Sequence, residues 1–330
     1  MKLLVTGGAG FIGGVTTRQL LKNGFDVVVF DNLSCGHKEI VPNSTKLIVG
    51  DLRKKEDIFK VFEEERFDAV LHFAAYTIVP ESMSNPSKYF ENNVIATMNL
   101  LDAMIKANVN NFIFSSSAAV YGNPKTIPVT EDAPTLPLNA YGQTKLTVEE
   151  YLKWYEHAYG LNYVSLRYFN AAGADLENDI GEDRSVETHL IPLVLFAALG
   201  KNKSISVFGT DYPTRDGTCI RDYIHVVDLA SAHVLALKKL LNSDPKSSIY
   251  NLGSQNGFTV REVISAAEKI VGRKINVVDS PRREGDPPAL IASSKKIKDE
   301  LGWVAQNSEI EKIIKDTWQW MQNHPKGYRK

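Results

Sequence analysis

Lys2-Leu3-Leu4-Val5-Thr6-Gly7-Gly8-Ala9-Gly10-Phe11-Ile12-Gly13 passes from an apolar run straight into glycines. The apolar part is short and continuous, as a strand buried on both faces should be, and residues 12–22 then follow a helical period. Between them glycines stand three apart, at positions 7, 10 and 13. Gly7 permits a tight turn, Gly10 lets backbone N–H groups approach a pyrophosphate, and Gly13 lets the helix pack close to the strand. The helix N-terminus then turns its partial positive charge toward the phosphates. Asp31 ends the next apolar run, 18 residues beyond Gly13. A carboxylate there accepts hydrogen bonds from a ribose 2′-OH and repels a 2′-phosphate. Strand, glycine turn, helix and acidic residue together predict a dinucleotide site that prefers NAD to NADP.

The alternation continues through the first half. Apolar runs at 2–6, 26–30, 46–49, 68–73, 111–115 and 162–168 predict strands, and stretches at 12–22, 54–65, 94–107 and 140–159 predict helices. Strands alternating with helices make a parallel sheet covered on both faces, because each right-handed crossover lays a helix across it. The fold class is therefore α/β, with a Rossmann-type doubly wound parallel sheet over residues 1–172. Beyond Gly173 the rhythm breaks, and the acidic, turn-rich residues 175–187 read as a loop. Thr259-x-x-Glu262 reads as a capping box for a helix stopping near Gly272, and Ser308-x-x-Glu311 as one for a last helix ending before Pro325. Ile310, Ile313, Ile314, Trp318 and Met321 keep to one face of that helix and predict core. Residues 173–330 thus read as a smaller mixed α/β domain, from which a strand and helix within roughly 224–252 could return to the first sheet.

Length and charge narrow the function. The 330 residues suit two domains with cores of their own. Lys and Arg number 38 against 39 Asp and Glu, a net charge of −1 that offers no footprint for nucleic acid or an anionic membrane. Two cysteines, Cys35 and Cys219, cannot build a disulfide framework or a four-ligand zinc site, and no metal is expected. No window approaches the ~18 apolar residues of a membrane span, and the first residues enter a strand rather than a secretory signal. The expectation is a soluble, cytoplasmic protein with neither nucleic-acid nor membrane partners.

A candidate catalytic pair follows. Tyr141-Gly142-Gln143-Thr144-Lys145 puts a phenol and an ammonium four apart on one helix face. The spacing alone is cheap, since 13 Tyr and 38 Lys plus Arg produce one or two such matches by chance. Tyr121 and Lys125 enclose Pro124, which forbids a helix, and Tyr163 and Arg167 fall in a predicted strand. Tyr141 instead begins a helix 24 residues after Ser117, at the end of the fifth strand. Parallel sheets collect function at the carboxyl ends of their strands. A phenol is a poor base at neutral pH; about 4 kcal/mol of differential stabilisation, from Lys145 and a nicotinamide ring, would ionise it. Ser117 would hydrogen-bond the same substrate oxygen.

These pieces resemble the extended short-chain dehydrogenase/reductase superfamily, and most closely its UDP-glucose 4-epimerase family, along essentially the whole chain. The Gly-x-x-Gly-x-x-Gly spacing, Asp51-Leu52, His72-Phe73-Ala74-Ala75 and Glu91-Asn92-Asn93-Val94 carry the superfamily likeness. Ser115-Ser116-Ser117-Ala118-Ala119-Val120-Tyr121-Gly122, Leu166-Arg167-Tyr168-Phe169-Asn170, Phe208-Gly209-Thr210-Asp211, Arg221-Asp222-Tyr223-Ile224-His225 and Pro281-Arg282-Arg283-Glu284-Gly285-Asp286 carry the family likeness. The resemblance implies a tightly bound NAD contacted by Gly7, Gly10, Phe11, Ile12, Gly13, Asp31, Asn32, Asp51 (near the adenine) and Leu52. It adds Phe73, Ala74, Ala75, Asn92, Ser115, Tyr141, Lys145 and Tyr168 around the rest of the cofactor. For a UDP-hexose it implies Ser117 and Tyr141 at the sugar and Arg221 and Arg283 at the diphosphate. Asn170 and Leu190 would add backbone or amide contacts, Phe208 and Tyr223 would lie near the uridine, and Asp286 would bind the ribose.

The implied activity is reversible C4 epimerisation of UDP-galactose and UDP-glucose through a 4-keto intermediate. The implied assembly is a homodimer built on the helices at 94–107 and 140–159. Ala118-Ala119 narrows the chemistry, because related 4,6-dehydratases carry Asp-Glu there and related decarboxylases a Glu at the second position. Alanine can neither abstract a C5 proton nor protonate a leaving hydroxyl. Three departures stand out. Gly14-Val15 replaces Ser-His at what reads as a phosphate-side turn, Thr77 stands where some relatives place a Lys touching the cofactor, and Arg184 stands where the acidic loop usually carries His. Leu290 occupies a position where a bulky Tyr excludes N-acetylated sugars and Cys or Ser admits them, so N-acetylated substrates stay open, as do pentoses and uronates. A net-redox dehydrogenase and a non-catalytic NAD-sensing protein are the competing readings. The full set of Ser117, Tyr141 and Lys145 argues against the second.

Overall fold

The computed structural model describes residues 1–242, 245–283 and 286–329, so Glu284 and Gly285 of the arginine-rich run lie outside the described residues. Strands β1 (Lys2–Thr6), β2 (Asp26–Asp31), β3 (Lys46–Val49), β4 (Ala69–His72), β5 (Asn111–Ser117) and β6 (Asn162–Tyr168) form the first half. They are connected through α1 (Phe11–Lys22), α2 (Lys55–Glu64), α3 (Val79–Ser84), α4 (Pro86–Phe90), α5 (Ala96–Lys106) and α6 (Ala140–Tyr159). Then come β7 (Asn170–Ala172), α7 (Leu190–Ala198), β8 (Ile205–Phe208), β9 (Ile220–His225), α8 (Val226–Leu240) and β10 (Ser248–Leu252). The chain closes with β11 (Gly257–Thr259), α9 (Val260–Val271), β12 (Val277–Ser280), β13 (Ala289–Leu290), α10 (Lys295–Leu301) and α11 (Ile310–Asn323).

Among the described residues, β3-β2-β1-β4-β5-β6-β10 lie side by side in one sheet, every pair parallel. This is the Rossmann-type doubly wound arrangement. Its order reverses between β1 and β4, which opens a crevice outside their carboxyl ends. Alternate residues of the same strands enter different cores. Leu3, Val5, Val29 and Leu71 pack with Leu20 and Leu237 on one face, while Leu4, Val28, Val70 and Phe112 pack with Leu100, Met104 and Leu152 on the other. Burial on both faces is why these strands are apolar without alternation. β10 pairs with β6 from Ser248 opposite Val164 to Leu252 opposite Tyr168, and α8 shares the core of α1.

β9, which precedes α8, lies in a second sheet with β7, β11 and β13, and β8 pairs with β12 separately. Val194, Leu195, Val263, Ile313, Ile314 and Trp320 form the core of this half. Thr259 caps α9 in a full capping box with Glu262, and Gly272 ends that helix at φ +75°. Ser308 does not cap the last helix. Its hydroxyl donates to Asp228 Oδ2 at 2.7 Å and accepts from the His225 N–H at 2.9 Å, so it is held away from the helix end, which starts at Ile310 behind Glu309. Trp318 is only half-buried; Trp320 takes the deeper place. The expected helix over 94–107 begins earlier, as a π-helical turn at Glu91–Ile95 leading into α5. No helix among the described residues is long and apolar enough to cross a membrane.

Candidate active site

The glycine turn is shaped by its surroundings. Gly7 has φ +76°, and a Cβ there would sit 2.5 Å from Ala74 N; at Gly13 it would sit 2.3 Å from Gly7 O. At Gly10 the nearest atom would be 3.3 Å away, and no side chain caps the helix that Gly10 opens. The first N–H groups of α1, headed by Phe11 and Ile12, are thereby left to an anion. Gly14 is not at a phosphate-side turn. It lies within α1, where a Cβ would come 2.1 Å from Ile40 Cγ2.

Asp31, 8% exposed, accepts from the Ala9 N–H at 3.0 Å and the Leu33 N–H at 2.9 Å, which ties its carboxylate to the glycine turn. Burial pushes its pKa up, and those two N–H groups oppose the rise. Asn32 accepts from the Ser34 N–H, and Asp51 is held at about 2 by hydrogen bonds from Arg53. Leu52 is buried beside it. The Phe73 N–H donates to Thr6 O at 2.8 Å, which lays Phe73 and Ala74 against Gly7, with Ala75 next in the chain. Two glycines that no Cβ can replace, an uncapped helix end and a buried carboxylate beside them fit a dinucleotide.

Ser117 ends β5 and Tyr141 lies in the first turn of α6; they are 9% and 8% exposed. Asn139 caps that helix by accepting from the Gly142 N–H, and the Tyr141 N–H donates to Ser82 Oγ at 3.1 Å. Lys145 donates to Ser115 O at 2.7 Å and lies 5.9 Å from the centre of the Tyr141 ring. Burial pushes the Tyr141 phenol up, while a hydrogen bond with Ser117 and the charge of Arg184 oppose it. Tyr168 is half-buried in the same wall, its phenol pushed far up by burial and partly restrained by a hydrogen bond with Ser115.

Several participants escape sequence reasoning. Asn93, rather than Asn92, is the better-connected amide: it accepts from the Tyr76 N–H at 2.8 Å and donates to Tyr76 O and to Thr144 Oγ1, binding the loop after β4 to α6. Asn92 donates to Asn93 Oδ1 at 3.0 Å. The adjacent Asn-Asn pair was the available signal. His72 accepts from Thr6 Oγ1 at Nδ1 and donates from Nε2 to Thr97, whose own proton goes to Asn93 O. Burial, then the charge of Lys145, brings His72 down to about 3, so the ring is neutral.

The substrate-side candidates gather at the second sheet. Arg221 donates to Pro287 O at 2.8 Å and reaches Asp286 Oδ1 at 3.4 Å, and Arg283 donates to Asp286 Oδ2 at 3.0 Å. The Arg283 guanidinium covers the Phe208 ring at 4.9 Å. Asn170 donates to Asp222 O at 2.8 Å, and Leu190 heads α7, whose N-terminus has no side-chain cap. Tyr223 is buried in the core of this half at 5% exposure, not laid open beside Phe208.

Lys145 supports a pH prediction. Burial takes it down to about 7 from the ordinary 10.5, with Glu149 opposing. The folded chain therefore holds this proton less tightly than the unfolded one, so the group's contribution is present above 10.5 and lost as pH falls through 7. Urea titrations should show Lys145→Met gaining on the parent as pH falls from 10 to 6. A difference constant across that range would contradict the burial argument.

Comparison with known proteins converges on one group. The model of the NAD dependent epimerase/dehydratase family matches residues 3–253. The UDP-glucose 4-epimerase of Lacticaseibacillus casei is 48% identical over 328 residues, covering 99% of each chain. A crystal structure of a UDP-glucose 4-epimerase superposes with a TM-score of 0.96 at 47% identity, covering 100% of both chains. The UDP-glucose 4-epimerase of Bifidobacterium longum, solved with NAD+ and UDP, gives 0.93 at 40% identity, covering 99% of this chain and 100% of its own.

Proposed function

The chain belongs to the NAD dependent epimerase/dehydratase family, and from that premise we propose that it interconverts UDP-galactose and UDP-glucose at C4 through a 4-keto sugar, using tightly bound NAD. One observation carries the reading: a buried phenol with a hydroxyl and a lysine beside it at the carboxyl ends of the strands, the hydroxyl of Ser117 being followed by alanines at 118 and 119. Gly7, Gly10, Gly13 and Asp31 would hold NAD, which would supply the reversible redox chemistry at the sugar C4. Tyr141 as phenolate takes the C4 hydroxyl proton and later gives it back to the same oxygen. Ser117 hydrogen-bonds that oxygen, and Lys145 favours the ionised phenol. Arg221 and Arg283 would anchor the diphosphate, leaving the hexose loose enough to turn over between the two transfers.

The division of labour assigns residues 1–172, with the returning segment near 224–252, to NAD, and the rest of 173–330 to the nucleotide sugar. Ile95, Trp154 and Tyr159 leave large apolar surfaces exposed on or beside α5 and α6, which supports a homodimer built there. The two free thiols, Cys35 and Cys219, support a reducing, cytoplasmic setting. Leu290 packs with Ala118, Val120 and Tyr121 beside Ser117, and its moderate bulk favours some turnover of N-acetylated UDP-hexoses as a second reading.

The deciding experiment incubates purified protein with UDP-galactose, without added NAD, and separates products by anion exchange. UDP-glucose should form over many turnovers without net NADH. No product even after NAD is supplied would overturn the assignment. UDP-N-acetylgalactosamine in a parallel reaction decides the second reading, and light scattering on the same preparation should give the mass of a dimer rather than a monomer.

A further inference from the structure

Residues 181–184 cross from the second half of the molecule to the cofactor crevice. Their root is nailed down by the C-terminal segment. The Gly181 N–H donates to the Tyr328 hydroxyl, which donates in turn to Gly181 O, and the Tyr328 N–H donates to Asp183 Oδ2 at 3.0 Å. Trp320 fills the space where a Gly181 Cβ would stand.

The tip is tied to two loops that flank β1. His37 Nε2 lies 3.0 Å from Asp183 O, and the His37 N–H donates to Ala9 O of the glycine turn at 2.8 Å. This first loop follows β2. On the other side, Arg184 Nη1 donates to Thr77 Oγ1 at 3.0 Å, in the loop that follows β4. Since β1 lies between β2 and β4, two consecutive residues, Asp183 and Arg184, span the end of the sheet where the glycine turn sits.

The reach of Arg184 is set from behind. Its Nε donates to Glu182 Oε1 at 2.7 Å, and Glu182, buried, also binds His189 Nδ1. Burial alone would raise the Glu182 pKa, but His189 and Arg184 outweigh it and hold the carboxyl below its usual range. The guanidinium is thus fixed by a charged partner on one side while its far end meets a neutral hydroxyl on the other.

We infer that residues 181–184 are a strap across the dinucleotide crevice, and that Arg184 is the positioning residue that fastens it through Thr77. The inference rests on the reading of the glycine turn as the NAD site. A dinucleotide lying over β2, β1 and β4 is then enclosed between the sheet and the strap, and it leaves only when the Arg184–Thr77 contact opens. Retention of the cofactor follows from this contact as well as from the contacts to the cofactor itself.

The test measures release of bound NAD, not turnover. Purified protein is loaded with radiolabelled NAD, chased with unlabelled NAD, and the retained label is counted over time for the parent, R184M, T77V and the double variant. Losing a hydrogen bond from a charged donor should speed release by at least ~10-fold in R184M. T77V should speed it as well, and the double variant should release no faster than the faster single one, because both remove one contact. T77V leaves the Glu182 pair in place, so it reports on the strap even if R184M folds poorly. Release at the parental rate in a folded R184M and in T77V would overturn the strap alone. A parent protein that carries no NAD and binds none would overturn the cofactor site, and the strap with it.

Discussion

Replacing Tyr141 by phenylalanine is expected to lower turnover of UDP-galactose by ~10²–10⁴-fold, the range for removing a general acid–base group. The change deletes one oxygen. Tyr141 is 8% exposed, and its ring keeps its place beside Lys145 because the backbone N–H still bonds Ser82 and Asn139 still caps the helix. Stability should therefore change little, which separates this variant from one that merely loosens the site. Burial raises the phenol's pKa, and the hydrogen bond with Ser117 and the charge of Arg184 oppose that rise, so both partners favour the ionised form that the burial disfavours. Initial rates for parent and variant at matched NAD content test it. A variant retaining more than a tenth of the parental kcat would remove Tyr141 from the role proposed for it.

Glu149→Ala should be the most damaging substitution for stability, by about 3–5 kcal/mol, since it strands a buried cation. Glu149 and Arg167 are 1% and 4% exposed. Arg167 donates to the carboxylate from Nε at 2.9 Å and Nη2 at 2.5 Å, and Ser116 donates to it as well. Arg167 also donates to the Tyr121 hydroxyl, which passes its proton to Asn251 Oδ1. The network joins α6, β6, β5 and β10 directly behind Lys145, one helical turn away. Removing both charges in Glu149→Ala/Arg167→Ala should cost less than the sum of the single changes. Urea denaturation of the four proteins reads both effects. Additive losses would mean that the two charges do not act as a pair.

What could be read in the sequence was local. The glycines at 7, 10 and 13 declare themselves because their constraint is set by neighbours in the chain, and Tyr141 and Lys145 share a face because a helix makes them. The doubly buried strands are legible for the same reason, since burial on two faces shows in the composition of a few adjacent residues. Contacts between distant segments were not legible. Arg184 and Thr77 are 107 residues apart, and His72 and Thr97 meet only once β4 and α5 are packed. Ser308 had the spacing of a capping residue, but the buried Asp228, 80 residues away, took its hydroxyl. Tyr223 reads as a ligand contact within its motif, and its deep burial, set by the central position of β9 in the second sheet, was not legible there.

The position of β10 bears on how the molecule is made. The ribosome delivers β6 first, and β10, which must cover it, begins 80 residues after β6 ends, or ~4–16 s later at ~5–20 residues per second. During that interval β6 is an open edge, and Tyr121 lacks Asn251. Throughout that interval the nascent sheet lacks the strand that covers its edge. A chain cut short or stalled before residue 252 is therefore a candidate for edge-to-edge association, and the quality of the catalytic half depends on timely synthesis of a strand that lies far beyond it.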